Sequence, residues 1–260
     1  MSHWAIVAAV YGAVLAASAL VRPVPRRFLT ASACLAYLLL ALGADSMRQS
    51  IGVGLVAPPM LLLGGYWLSG LLFHAPQRRL EQWLLQSDRT LFRAVSLDAA
   101  MQRAPQWTLE LLEASYASIY LVMAVGAIAA AIAGLEALER FWTLVLCAEL
   151  ACYGWLPWIR TRPPRTLEPP GVVARRSPRL RRLNGLVLDA GSVQANTLPS
   201  GHVAGAMAAA LALLPVSVPL AIVGLIVAAA IAFAATAGRY HYAVDCVAGA
   251  LVAVLAWSVC

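Results

Sequence analysis

The sequence predicts an all-α, polytopic membrane protein, a helical bundle of about eight transmembrane spans with an amphipathic loop lying in the interface. Two observations predict this class. Of the 260 residues, 62% are hydrophobic and only 12% are charged, whereas a soluble domain carries about 25% charged residues. Several apolar runs also reach about 20 residues, the length that a helix needs to cross a bilayer. We therefore expect an integral, multi-pass membrane protein.

The apolar runs define the spans in chain order. The first run could pass for a signal peptide, but it has no basic segment before it and Arg22, Arg26 and Arg27 follow it directly, so we expect an uncleaved first span. Pro215 to Pro219 separate the sixth span from the seventh. The predicted spans are roughly 4–21, 28–44, 51–73, 111–134, 140–158, 202–215, 218–238 and 241–259.

Two long segments connect these spans. Residues 74–107 mix Arg and Asp with Leu, Trp and Phe, which is typical of short amphipathic helices that lie in the membrane interface. Residues 159–199 begin with RTRPPRTLEPP and are rich in Arg and Pro. The chain is accordingly divided into residues 1–110, with the first spans and the interfacial loop, and residues 111–260, with the segments that carry the chemistry.

The longest charge-free stretch has a histidine at each end. No charged residue occurs from Val203 to Gly238, and the prolines near its middle predict a hairpin that crosses the membrane twice. Both ends of such a hairpin return to the same face. The sequence therefore predicts that His202 and His241 meet there.

The neighbours of the two histidines suit anion chemistry. Ser200 and Gly201 open a helix at His202, and the free N–H groups of a helix start bind anions. Asp245 follows His241 by four positions, which places both side chains on one helix face. A carboxylate on one imidazole nitrogen leaves the other nitrogen nucleophilic.

Three arginines complete the predicted site. Arg162 and Arg165 lie in the RTRPPR segment, and Arg239 lies two residues before His241. Guanidinium groups bind phosphate oxygens through paired hydrogen bonds. The pattern therefore predicts a phosphoryl-transfer site that needs no metal and no cofactor.

These residues resemble the type-2 phosphatidic acid phosphatase superfamily. The PSGH sequence at 199–202 is similar to the second signature of that family, and His241-x3-Asp245 is similar to the end of its third signature. RYHYAVD followed by CVAG looks most like the inositolphosphotransferase branch, which includes inositol phosphorylceramide synthases.

The resemblance implies a lipid phosphatase or phosphotransferase with a phosphohistidine intermediate. His241, oriented by Asp245, would attack phosphorus, and His202 would protonate the leaving alkoxide. The non-bridging oxygens would be held by Ser200, Gly201, Arg162, Arg165 and Arg239. The implied partners are a membrane lipid substrate and the bilayer, with no nucleic acid and no metal.

The chain departs from the family signatures at two positions. Trp155 occupies the place of the lysine that lies seven residues before Arg162-Pro163, and Ala235 occupies the place of the arginine six residues before His241. The nearest arginine to the second position is Arg239. These departures favour the transferase-like branch over a general phosphatase.

Several alternatives stay open at this stage. Hydrolysis and transfer to an alcohol use the same residues, and a transporter or non-catalytic scaffold is the alternative from another class. The excess of arginine in the loops favours a cytoplasmic active-site face, whereas the resemblance implies the outer face of a bacterial inner membrane. Glu149 lies inside a predicted span, where a bond to Tyr153 or a functional role would account for it.

Overall fold

A computed structural model describes residues 2–47, 49–176 and 178–260 of the chain. The described residues form α-helices joined by short turns, with one 3-10 turn at Pro164–Thr166 and one isolated bridge between Thr161 and Asn196. The helices are α1 (His3–Val21), α2 (Arg27–Asp45), α3 (Ile51–Gly70), α4 (Arg78–Ala94), α5 (Leu97–Arg103), α6 (Gln106–Ala117), α7 (Ile119–Ala133), α8 (Leu135–Gly154), α9 (Val172–Arg176), α10 (Pro178–Gly191), α11 (Gly201–Ala212), α12 (Val218–Ala237) and α13 (Ala243–Val259).

Two helices form the centre of the bundle. α8 packs against α1, α3, α7, α11 and α13, and its Phe141 and Leu146 are fully buried. α11 packs between α8, α12 and α13, and Ala204, Ala206 and Ala208 leave almost none of their surface exposed. Small side chains let helix backbones approach closely, so the alanines explain why a helix of 12 residues occupies the centre.

The outer faces of the bundle are apolar. Leu39 and Leu40 on α2, Ile226 on α12 and Leu255 on α13 each expose more than half of their surface. Exposed apolar surface of this extent fits contact with lipid tails rather than with water. Together with the helical content, this surface confirms the predicted all-α membrane bundle.

The eight predicted spans all fall on helices, but not all of these helices cross a membrane by length and composition. α1, α2, α3 and α12 are long and apolar enough, which gives four spans. α6 and α7 would make a fifth span if they count as one, although they bend by 51° at their junction. α11 and α13 are shorter apolar helices, and α8 carries several charged residues.

The loop predicted to be amphipathic forms α4 and α5. On α4, Leu84 and Phe92 are buried whereas Trp83 and Arg79 are exposed. Acidic side chains on the inner face of α4 reach the segment after α8, where Glu81 bonds to Arg162. α4, α5, α9 and α10, together with residues 155–171, are called the polar layer below; this layer covers one end of the apolar helices.

Candidate active site

The helical hairpin of α11 and α12 places the two histidines side by side. His202 is the second residue of α11, and His241 follows α12 after a three-residue turn. Their imidazole ring centroids are 5.7 Å apart. His241 is buried, with 6% of its surface exposed, and His202 is half-buried. A group bound between the rings would therefore contact both side chains.

Asp245 faces His241 from the first turn of α13. Asp245 Oδ2 lies 3.5 Å from His241 Nδ1, so the Nε2 atom of His241 is the nitrogen turned away from the carboxylate. The same oxygen accepts a hydrogen bond of 3.0 Å from the N–H of Tyr242. One oxygen of Asp245 therefore caps the start of α13 and also faces His241, because Tyr242 and His241 both lie within four residues of it.

Asn196 contacts the other side of the Asp245 carboxylate and was missed at the sequence level. Its side chain is within hydrogen-bonding reach of Asp245, and its Nδ2 atom lies 3.2 Å from the hydroxyl of Thr161. Oδ1 of Asn196 and Oδ1 of Asp245 have no hydrogen-bond partner among the described residues.

The start of α11 keeps one backbone donor open. Ser200 Oγ accepts from the N–H of Val203 at 3.4 Å, and Thr197 Oγ1 accepts from the N–H of Gly201 at 3.3 Å. Among the described groups, none accepts from the N–H of His202. Because the first N–H groups of a helix carry its positive end, this donor suits an anion beside the imidazoles.

Gly201 has a packing reason as well as the predicted binding one. A Cβ atom at this position would overlap the ring of Tyr153 on α8. The absence of a side chain therefore lets α8 and α11 approach each other beside His202. Direct contact between Gly201 and a phosphate stays a prediction.

Arg165 is the predicted arginine that faces the histidines. Its charge acts on both His202 and His241, and its guanidinium lies 5.8 Å from the ring centre of Tyr240. Within the described part of the chain, it forms no ion pair with a carboxylate. Arg165 is thus a partly buried cation available to an anion.

The other two predicted arginines are held by carboxylates of the polar layer. Arg162 donates from Nε and Nη2 to Glu81 at 3.0 and 2.8 Å, and its backbone N–H donates to the same carboxylate at 2.9 Å. These hydrogen bonds hold the pKa of Glu81 below its ordinary value. Arg239 bonds to Glu168. The structure therefore leaves only Arg165, of the three predicted arginines, without a carboxylate partner among the described residues.

Aromatic stacking fixes the position of His202, which sequence reasoning also missed. The ring of Tyr116 stacks on His202 with centroids 5.1 Å apart and on Tyr240 with centroids 3.7 Å apart. The Tyr240 hydroxyl bonds to the buried Glu113, and Arg181 lies over the opposite region of that ring at 4.4 Å. Tyr116 comes from α6, 86 positions before His202, so no local pattern could indicate it.

The fold and the site define a class of protein, namely an all-α membrane protein that gathers two histidines, a carboxylate and an arginine at one end of its bundle. A family model described as the PAP2 superfamily matches residues 82–259. The chain therefore belongs to the PAP2 superfamily. No curated protein and no solved structure was found to match it. Membership supports a phosphatase- or phosphotransferase-type activity on phosphorylated substrates.

Proposed function

We propose that this protein is a lipid phosphatase or phosphotransferase that works through a phosphohistidine on His241. The observation that carries the proposal is the arrangement of His241, backed by Asp245, opposite His202 and beside Arg165. A nucleophile, a group that orients it, an acid and a cation are the parts that such a reaction needs.

In the first step, Nε2 of His241 attacks phosphorus and the bond between phosphorus and the ester oxygen breaks. His202 gives its proton to the leaving alkoxide, which departs as an alcohol. The carboxylate of Asp245 stabilises the positive charge that develops on the His241 ring. In the second step, His202 removes a proton from water and the resulting hydroxide attacks phosphorus. The bond between phosphorus and Nε2 of His241 then breaks. Free phosphate leaves and both imidazoles return to their initial state.

The protein itself supplies the groups that stabilise the phosphoryl oxygens. In the proposed reaction, Arg165, whose charge acts on both histidines, and the free N–H of His202 at the positive end of α11 bind these oxygens. Ser200, Gly201, Arg162 and Arg239 remain predicted ligands of the phosphate. Arg162 and Arg239 would have to exchange their carboxylate partners for it. No metal and no cofactor takes part in the proposed reaction.

The position of the site favours a lipid as the substrate. The histidines lie where apolar helices α11 and α12 meet the polar layer. A phosphate at this level leaves the hydrocarbon part of an amphiphile within the apolar bundle or the bilayer. We place the protein in a bacterial inner membrane, with residues 111–260 as the catalytic part.

Transfer to an alcohol is the second fate of the same intermediate. If an acceptor alcohol replaces water in the second step, His202 deprotonates its hydroxyl and a new phosphodiester forms. The third-signature residues from Arg239 to Gly249 favour this outcome by their likeness to the inositolphosphotransferase branch.

Phosphate release by the detergent-solubilised protein tests the proposal. Wild-type protein is given phosphatidic acid with a chelator present, and His241→Ala is compared with it. We expect release by the wild type, loss of at least about 1000-fold in the variant, and an acid-labile phosphate on His241 when the reaction is quenched in base. His3→Gln is the matched control, because His3 is an exposed histidine at the start of α1. Release that survives His241→Ala would contradict the mechanism.

A further inference from the structure

A cavity of about 580 Å³ lies beside His202. Its volume lies within the range of small-molecule sites, which is about 300–1,000 Å³. Its lining comes from α3, α7, α8 and α10, with His202 of α11. Most of its lining is apolar, as in Leu55, Pro59, Leu62, Ala127, Ile128 and Val187. A space of this kind suits the hydrocarbon of a molecule whose phosphate lies at the histidines.

One wall of this cavity comes from outside the part of the chain that matches the family. The match begins at residue 82, whereas α3 spans Ile51–Gly70. Residues 82–259 therefore do not form the cavity alone, and α3 helps to set its shape and thus which lipid fits.

A buried carboxylate interrupts the apolar lining. Glu149 on α8 exposes 5% of its surface, and its Oε2 atom accepts a hydrogen bond from the Tyr153 hydroxyl. In the described residues, no group donates to its Oε1 atom. A side chain at Gly205 would overlap Oε1, so the glycine provides the space that the carboxylate occupies. Because Glu149 lines the cavity, an Oε1 atom without a protein donor can accept a hydrogen bond from a molecule bound there.

Glu149 lies close to the catalytic end of the cavity. Gly205, which contacts it, is three residues after His202 on α11, or about 4.5 Å along the helix axis. Both His202 and Glu149 line the same cavity. When the phosphate of a lipid is bound at the histidines, the part of the lipid that lies next to Glu149 is only a few bonds from the phosphorus atom.

We propose that the cavity binds the hydrocarbon of the substrate and that Glu149 Oε1 accepts a hydrogen bond from a hydroxyl or amide N–H near the phosphate-bearing carbon. The inference rests on the proposed lipid phosphate function and names its substrate class. That class is the lipid phosphates with a free donor beside the head group. Lipids in which that position is esterified or absent leave Oε1 without a donor and bind less well.

A matched pair of lipids tests the proposal. Lysophosphatidic acid has a free hydroxyl next to its phosphate-bearing carbon, and its deoxy analogue differs only by lacking that hydroxyl. We expect wild-type protein in detergent micelles to prefer the hydroxylated lipid by about 10-fold in kcat/KM, the effect of one added hydrogen bond. In Glu149→Leu the ratio should fall to about one. Each ratio is measured within one variant, so a general loss of rate cancels.

The matched control is Glu136→Leu, which removes an exposed carboxylate near the start of the same helix. It should keep the wild-type ratio. Equal rates for the two lipids in the wild type, or an unchanged ratio in Glu149→Leu, would overturn the proposal. If Glu149→Leu does not fold, as gel filtration in detergent would show, the wild-type ratio alone decides.

A soluble phosphoester separates this proposal from the proposed function. Wild-type protein that cleaves para-nitrophenyl phosphate through His241 but favours neither lipid overturns the inference on Glu149 and leaves the phosphohistidine mechanism standing. Protein that releases phosphate from none of the three compounds overturns both.

Discussion

The candidate site has two sides that differ in how they are built. The histidine side consists of His202, His241 and Asp245. His202 and Asp245 lie in the first turns of α11 and α13, and His241 lies two residues before α13 and next to both in space. The arginine side consists of Arg162 and Arg165 after α8, and its partners come from distant parts of the chain. On the first side, the side chains lie at or next to helix starts; on the second, an ion pair holds Arg162 but not Arg165 in the described structure.

The difference between Arg162 and Arg165 shows that the partner of an arginine decides whether its charge is available to a phosphate. Arg162 and Arg165 are three residues apart in one segment, yet Arg162 is bonded to Glu81 whereas Arg165 has no carboxylate partner in the described structure. A guanidinium already held by a buried carboxylate is partly neutralised and is less available to phosphate. The two residues should therefore respond differently to the same substitution.

The largest expected effect is the loss of phosphate binding in Arg165→Gln. We expect kcat/KM for phosphate release to fall about 100-fold, the usual effect of removing one group that stabilises a developing oxyanion. Arg162→Gln should lower it less than about 10-fold. The measurement is the initial rate of phosphate release at several lipid concentrations. Equal losses in the two variants would remove the distinction between these arginines.

For stability the order of the same two variants should be reversed, with the larger loss in Arg162→Gln. Arg162→Gln leaves Glu81, which is 3% exposed, without its main partner, so we expect a loss of about 2 kcal/mol of unfolding free energy. Arg165→Gln breaks no ion pair and should change the midpoint of thermal unfolding little. Arg140→Gln is the control for both, because Arg140 forms an exposed pair with Glu136.

A smaller effect is expected on the histidine side from Asn196→Ala. The Asn196 side chain bonds to the Asp245 carboxylate and to the hydroxyl of Thr161. We expect kcat to fall about 10-fold with KM unchanged, since only the orientation of His241 suffers. Thr161→Val, which removes the hydroxyl next to the Asn196 amide, should act in the same direction and more weakly. A rise in KM with kcat unchanged would instead make Asn196 a binding residue.

The helices of the fold could be predicted from the sequence because apolar length and proline breaks are local features. Their details depended on contacts that the pattern does not contain. The predicted span at 111–134 is divided at Ser118, whose hydroxyl donates to the carbonyl of Ser115 at 2.7 Å, and such bonds bend helices. α8 begins earlier than predicted because Gly134, at φ 123°, starts a helix that keeps Glu136 in its first turn.

The site shows the same limit. His202, His241 and Asp245 could be predicted because a helix start and an i,i+4 spacing are local features of the sequence. Glu81 and Tyr116 could not, because they reach the site across 81 and 86 positions of the chain. Long side chains such as arginine choose among distant partners, and only the packed structure shows which partner is near.

The smallest expected effect is a dependence of stability on pH that arises where the two sides meet. Asp88 on α4 is 2% exposed; its Oδ1 atom accepts from the N–H of Ala243 at 3.0 Å, and Oδ2 has no partner among the described residues. Burial, more than any other influence, raises the pKa of Asp88 to about 6. Because the folded protein holds this proton more tightly than the unfolded chain, the stability that it contributes is full below about pH 4 and is lost as the pH rises through about 6.

Replacing Asp88 tests that dependence. Asp88→Asn has no proton to lose, so we expect its midpoint of thermal unfolding to lie a few degrees above that of the wild type at about pH 8 and close to it at about pH 4. Asp189→Asn is the matched control, since Asp189 is an exposed aspartate on α10. The measurement is thermal unfolding in detergent across this range. Parallel curves for the wild type and Asp88→Asn would mean that Asp88 stays ionised, and that the start of α13 stabilises its charge more than burial opposes it.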